Sequence, residues 1–185
     1  MTPSTIDLHE HGLVSGRFQP FHNDHLSYAL ESLELSRFVT VGVTQPDISH
    51  LISTGPSHRA DRHSNPLSFD ERAVLIEESL IQEGISRSRF EVIEFPIESL
   101  SKIERLLPSH VVAFVSMVES WSVAKVDRLE KAGYTVEKLH IRHSKQVEGT
   151  KIRNAIRAGE PWDHLVPPSV YERLVAWGIQ ERLAK

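Results

Sequence analysis

The sequence predicts an α/β fold: an open, mainly parallel sheet of five strands with helices on both faces. Three observations carry that prediction. Short β-branched runs alternate with amphipathic segments along nearly the whole chain, and right-handed crossovers between such runs build a parallel sheet. The runs read as buried strands bounded by turn formers. The 185 residues, 25% charged and 39% hydrophobic, suit one soluble domain, here taken as 1–185, with its own core.

Residues 1–11 are polar and are expected to form a flexible tail, followed by a first strand over 12–15. That strand feeds Gly16-Arg17-Phe18-Gln19-Pro20-Phe21-His22-Asn23-Asp24-His25, after which Leu26, Ala29, Leu30 and Leu33 recur at helical spacing to about Ser36. Residues 38–43 make a second strand. Between 45 and 67, Pro46, Gly55, Pro56 and Pro66 break every pattern and give a long loop. Its His50, His58, Arg59, Arg62 and His63 read either as a cationic lid or as a surface loop. Ser68 and Glu71 then form a capping box for a helix that stops at Gly84. Strands follow at 90–93, 110–115 and 134–139, separated by a short helix over 97–107 and a helix over 119–131. Helices over 149–158 and 168–176 give a helical C-terminus.

Composition excludes several classes. A net charge of -4 lacks the basic field of a nucleic-acid binder. With no cysteine there is no disulfide, thiolate metal site or cysteine nucleophile. No apolar run approaches the roughly 20 residues that span a bilayer, and the polar N-terminus lacks a signal-peptide core. A cytoplasmic enzyme with no membrane or nucleic-acid partner is expected.

The chemistry concentrates where the first strand meets the first helix. Free N–H groups and the helix dipole favour an anion there. His22 and His25 share one face of the first turn and can donate to phosphate oxygens. Arg17 is a fork-shaped donor, and Gly16 is expected to let a ligand approach the backbone. A zinc site is not indicated, because no carboxylate set accompanies the histidines. A second strand-to-helix junction, Glu148-Gly149-Thr150-Lys151-Ile152-Arg153, can close around phosphates from the other side. On its own it is an ordinary helix start.

These residues resemble the nucleotidylyltransferase superfamily with its HxGH signature. Within that superfamily they resemble the archaeal-type nicotinamide-nucleotide adenylyltransferases, whose motif reads GRFQP-x-H-x-GH. The likeness continues in Asn65-Pro66 with Glu71-Arg72, in Gly149-Thr150-x-Ile152-Arg153, and in Gly159-Glu160-Pro161-Trp162 with Leu165-Val166-Pro167 and Glu181-Arg182-Leu183. The resemblance implies a Rossmann-like fold, a homo-oligomer and a nucleoside triphosphate with Mg²⁺. In the implied reaction a phosphate-bearing acceptor attacks the α-phosphate and releases pyrophosphate. It also implies catalytic roles for His22, His25, Arg17 and Arg153. The implied nucleotide-binding set is Gly16, Arg17, Phe18, His22, Asp24, His25, Gly149, Thr150, Ile152 and Arg153.

Three positions depart from the family pattern. Asp24 replaces a glycine that makes room for the nucleotide sugar and base, Glu148 replaces a serine, and residues 115–121 replace a threonine-glycine-asparagine turn. Trp121 and Arg142 are expected on the acceptor side. The first reading is ATP plus nicotinamide mononucleotide (NMN) giving NAD. The second is cytidylyl or adenylyl transfer to another phosphate or phosphonate, and a third is a nucleotide sensor without catalysis.

Overall fold

Strands and helices alternate in the order β1 (His9–Gly16), α1 (Asn23–Leu35), β2 (Ser36–Val43), α2 (Phe69–Gln82), β3 (Phe90–Glu94), α3 (Leu100–Ile103), β4 (Val112–Ser116), α4 (Ser122–Lys131) and β5 (Thr135–Leu139). Helices α5 (Gly149–Ala158), α6 (Pro168–Ala176) and α7 (Ile179–Ala184) follow. The computed structural model describes residues 7–47, 64–116, 122–139 and 147–184. All five strands are parallel, in the order β3-β2-β1-β4-β5. The expected α/β sheet is therefore present, parallel throughout rather than mainly so.

Two boundaries differ from expectation. β1 begins at His9, so residues 9–11 belong to the sheet and not to a tail. Polar side chains can start this strand because partners await them: His11 Nε2 lies 2.7 Å from Thr40 Oγ1, and His9 Nε2 lies 3.0 Å from Glu137. The helix expected over 97–107 shrinks to Leu100–Ile103. Arg105, at φ 63, takes a left-handed conformation that no helix continues through.

Successive strand residues face opposite sides, and each side buries its own core. Val14, Val39, Val41, Val43, Phe90 and Phe114 join residues of α1, α2 and α5 to α7 on one face. Leu13, Ala113 and Val115 join Phe95, Ile103, Val126 and Leu129 on the other. The capping box forms as expected, with Glu71 N donating to Ser68 Oγ at 3.2 Å and Ser68 N to Glu71 Oε2 at 2.9 Å.

The strand order reverses between β1 and β4, and ligands of such sheets bind beyond the carboxyl ends at that point. β1 pairs with β4 only at Gly12–Val112 and Leu13–Ala113, although both strands continue. Past that point Tyr28 Oη donates to Phe114 O, and Lys125 Nζ donates to Ser15 O at 2.7 Å. Side chains thus replace the missing rungs and a crevice opens.

Arg72 of α2 fixes the rim. Its guanidinium is 0% exposed and donates to five carbonyls: Ser68 at 3.1 Å, Arg17 and Thr44 at 2.9 Å, Gln45 at 2.8 Å and Pro46 at 3.3 Å. Burial pushes its pKa down to about 10, so it remains charged at neutral pH. One side chain therefore gathers the exits of β1 and β2 and the start of α2. Arg72→Met should lower unfolding free energy in urea by at least about 3 kcal/mol, because several buried carbonyls lose their donor together. Arg72→Lys should recover less than half of that loss, having three donors in place of a planar fork.

Candidate active site

The loop between β1 and α1 is rigid for reasons visible in its residues. Gln19 mimics a peptide unit: its Nε2 donates to Leu67 O at 2.8 Å and its Oε1 accepts from Leu67 N at 3.0 Å. Phe18 has a left-handed φ of 54, uncommon for a bulky residue. Packing holds it there, with its ring edge-on to Phe21 at 5.5 Å and to His25 at 4.9 Å. Phe18 is buried in the core. The ring lies beneath His25 and supports it.

Gly16 has a packing role: a Cβ there would lie 2.7 Å from the Phe18 ring, so the missing side chain makes room for Phe18. Arg17 is half-buried, and its Nη1 donates to Asn65 Oδ1 at 3.3 Å.

His22 caps α1 and is 5% exposed, while His25 sits one turn along. Their rings stack at 3.5 Å between centroids, tilted by 20°. His22 N donates to His25 Nδ1 at 3.4 Å, which in neutral His25 leaves the proton on Nε2. Two positive charges at this separation repel one another, and an anion placed against the pair relieves the repulsion. Asp24 has a definite partner, since its Oδ2 accepts from Val147 N at 2.9 Å. The carboxylate that stands in place of a glycine ties the first motif to the approach of the second.

The second motif meets the first by direct contact. Arg153, 3% exposed, donates from Nη1 to Gln19 O at 2.6 Å and from Nη2 to Thr150 Oγ1 at 3.1 Å. Gly149 lies against the same carbonyl: a Cβ there would sit 2.7 Å from Gln19 O. The missing side chain permits this close chain-to-chain packing. The Ile152 side chain is fully buried in the core. Thr150 is exposed at the start of α5, and Glu148 precedes it as N-cap.

The structure therefore brings together Arg17, His22, Asp24, His25, Thr150 and Arg153, and assigns Gly16, Phe18, Gly149 and Ile152 to their support. Trp121 and Arg142, expected on the acceptor side, lie outside the described residues, as does most of the 45–67 loop. Sequence reading gave no role to Gln19, Asn65, Arg72 or Lys125. Asn23, whose Nδ2 donates to His164 O at 2.9 Å, was missed too. Gln19, Asn23, Asn65 and Arg72 lie within motifs that gave them no role of their own, and Lys125 lies outside every motif. The helix starts of α1 and α5 and the paired imidazoles of His22 and His25 lie at this end of the sheet, and free N–H groups at a helix start favour an anion.

No family model matches the chain. It is 36% identical over 173 residues to the phosphonoformate cytidylyltransferase of Streptomyces viridochromogenes, covering 93% of this chain and 94% of that protein. It is 30% identical over 164 residues to the nicotinamide-nucleotide adenylyltransferase of Methanoculleus marisnigri, covering 87% and 88%. Among solved structures, a bifunctional NMN adenylyltransferase/ADP ribose pyrophosphatase from Francisella tularensis superposes with a TM-score of 0.70 at 17% identity, over 95% of this chain and 52% of that one. The same enzyme with AMP and a manganese ion gives 0.66.

The contact between the motifs separates support from binding. Gly149→Ala should cost about 1–3 kcal/mol in urea unfolding, since a methyl cannot share space with Gln19 O. Thr150→Val removes the acceptor of Arg153 Nη2 and should cost about 1 kcal/mol while weakening binding of a triphosphate in a calorimetric titration.

Proposed function

The chain belongs to the nucleotidylyltransferase superfamily, and from that premise we propose that it transfers the nucleotidyl group of ATP to nicotinamide mononucleotide, giving NAD and pyrophosphate. An oxygen of the acceptor phosphate forms a bond to the α-phosphorus. The bond to the bridging oxygen breaks, and its electron pair leaves with pyrophosphate. The observation that carries the reading is the stacked His22–His25 pair joined through Gln19 O to Arg153 at the head of α5. Such a transfer needs positioning and charge stabilisation more than a strong base.

In this reading His22 and His25 donate to the phosphate oxygens on which negative charge grows. Arg17, oriented by Asn65, and Thr150 hold the triphosphate, while Arg153 sets the distance between the two helix starts. Among the described residues no three histidine or carboxylate side chains are grouped to hold a metal. We assign Mg²⁺ as the divalent ion, entering with the triphosphate as part of the substrate. Among the described residues no helix is long and apolar enough to cross a membrane. We place the reaction in the cytoplasm, with small nucleotides as partners and a homo-oligomer as the working form.

A second reading has its own observations. Identity to the cytidylyltransferase is 36%, against 30% to the adenylyltransferase, and both alignments span most of the chain. Asp24 also fills space that the HxGH glycine leaves to the nucleotide, and its bond to Val147 holds the carboxylate inward. A smaller base and a small phosphonate acceptor fit such a cleft. This reading pairs CTP with a phosphonate.

Pyrophosphate release, measured for ATP and CTP against nicotinamide mononucleotide and phosphonoformate, should appear with one matched pair at least tenfold above the others. Release with ATP and nicotinamide mononucleotide supports the first reading, and release with CTP and phosphonoformate the second. Nucleotide binding without any release would support a sensor and sink both. His22→Ala and His25→Ala should each lower kcat by about 100-fold or more, with a smaller change in nucleotide Kd. Asp24→Gly should move the ATP-to-CTP ratio of kcat/KM towards ATP; an unchanged ratio would clear Asp24 of any part in selectivity.

A further inference from the structure

Gln19 is 3% exposed and lies between the end of β1 and the start of α1. Its neighbours cannot continue a main-chain ladder. Phe18 is left-handed at φ 54, and Pro20 has no N–H to donate. The Gln19 side chain supplies the missing rung. Nε2 donates to Leu67 O at 2.8 Å and Leu67 N donates to Oε1 at 3.0 Å, so both polar groups of one amide engage both main-chain groups of one residue. A single bond would fix a distance; the pair also fixes an orientation. Leu67 is fully buried and precedes Ser68, the N-cap of α2, so the anchor is itself held.

The main-chain carbonyl of Gln19 meets the second motif. Arg153 Nη1 donates to it at 2.6 Å, and Arg153 Nη2 donates to Thr150 Oγ1 at 3.1 Å. On the other side along the chain, three residues on, His22 caps α1. The starts of three helices are thus referred to one residue: α2 through its side chain, α5 through its carbonyl and α1 through the chain itself. A displaced Gln19 carries its carbonyl with it, and so shifts Arg153 and Thr150 relative to His22. In a transfer that depends on alignment, a displacement on the order of 1 Å costs roughly 100-fold in rate.

We propose that Gln19 is a positioning residue. Its amide pair with Leu67 sets the separation between the histidine end of the site and the Thr150–Arg153 end, and through it both triphosphate affinity and turnover. The proposal rests on the reading of this end of the sheet as a nucleotide site, and deepens it. A Gln19 that served the fold alone would add stability and leave ligand binding by the folded protein unchanged.

The test uses the likeness in shape of an amide and a carboxylic acid. In Gln19→Glu the carboxylate can accept from Leu67 N but has no donor for Leu67 O; the protonated acid donates again and the pair re-forms. Burial raises the pKa of such a carboxyl. Gln19→Met lacks both bonds at every pH. The probes are Mg²⁺–ATP and Mg²⁺–CTP, titrated calorimetrically into the full chain, with circular dichroism checking that each variant is folded. Each affinity is taken as a ratio to the wild type at the same pH, which cancels the titration of His22 and His25. We expect Gln19→Met to bind roughly tenfold more weakly throughout, as the loss of two buried hydrogen bonds allows. Gln19→Glu should bind as weakly at about pH 8 and regain most of the loss by about pH 5.5. Where a substrate pair turns over, kcat/KM should follow the same course.

Folded variants with wild-type affinity would overturn the proposal. So would a Gln19→Glu protein whose melting temperature rises in acid while its affinity stays put. If Gln19→Met does not fold, the acid recovery of Gln19→Glu decides; if neither folds at any of these pH values, Gln19 belongs to the fold alone and the proposal falls. Failure of the transfer reaction reads differently. A wild type that binds a triphosphate but releases no pyrophosphate with any substrate pair, while Gln19→Glu regains affinity in acid, would refute the reaction and keep the role of Gln19. A wild type that binds neither triphosphate would remove the site, and the proposal with it.

Discussion

Where parallel strands end, main-chain carbonyls lose their ladder partners and must find donors or forfeit the free energy of an unmade hydrogen bond. This protein meets that constraint with cations. Arg72 takes the carbonyls of Arg17, Thr44, Gln45, Pro46 and Ser68, Arg153 takes Gln19 O, and Lys125 takes Ser15 O. All three are buried. A chain with a net charge of -4 thereby places its buried positive charge at one end of the sheet. The groups that satisfy the backbone are also the buried cations of that end of the sheet, so the architecture of the rim and its electrostatics are one device.

This arrangement also explains the glycines. Gly149 is adjacent to Gln19 O, and Gly16 is adjacent to the Phe18 ring. Each brings one part of the machinery within van der Waals distance of another. The first motif is therefore less a bare anion loop than a packed wedge. His22 and His25 are held by Phe18 and Phe21 from below and by the Asp24–Val147 bond from the side. Positioning at that level is what a reaction without a covalent intermediate depends on.

The fold was legible because its signals are local. Capping at Ser68 and Glu71, the apolar runs of β2 and β4, and the helical spacing after His25 all lie within a few residues of one another. Boundaries were missed where distant partners decide them: His9 and His11 enter β1 because Glu137 and Thr40 receive them. The site was half legible. His22, His25, Thr150 and Arg153 carried recognisable chemistry, but Arg72, Gln19, Asn65 and Lys125 act on carbonyls or amides far away in sequence. Nothing beside those four residues marks such a bond. The packing roles of Gly16, Phe18 and Ile152 were hidden for another reason, since a motif names its members without saying which of them pack beneath the others.

Asp24 shows how one residue joins the structural and functional halves of the problem. A glycine at the second position of α1 would leave the amide of Val147 without this acceptor and the start of α5 without a tie to α1. The aspartate supplies both and, by the helix dipole, also suits the first turn. It therefore has a structural reason to be there that is independent of any substrate. Yet the tie holds a carboxylate beside the cleft, where it takes up volume and repels phosphate. Under the function we propose, a nucleotide has to place its base and sugar around that group, so a support bond between two helix starts bears on selectivity through a residue that need not touch the reacting phosphorus at all.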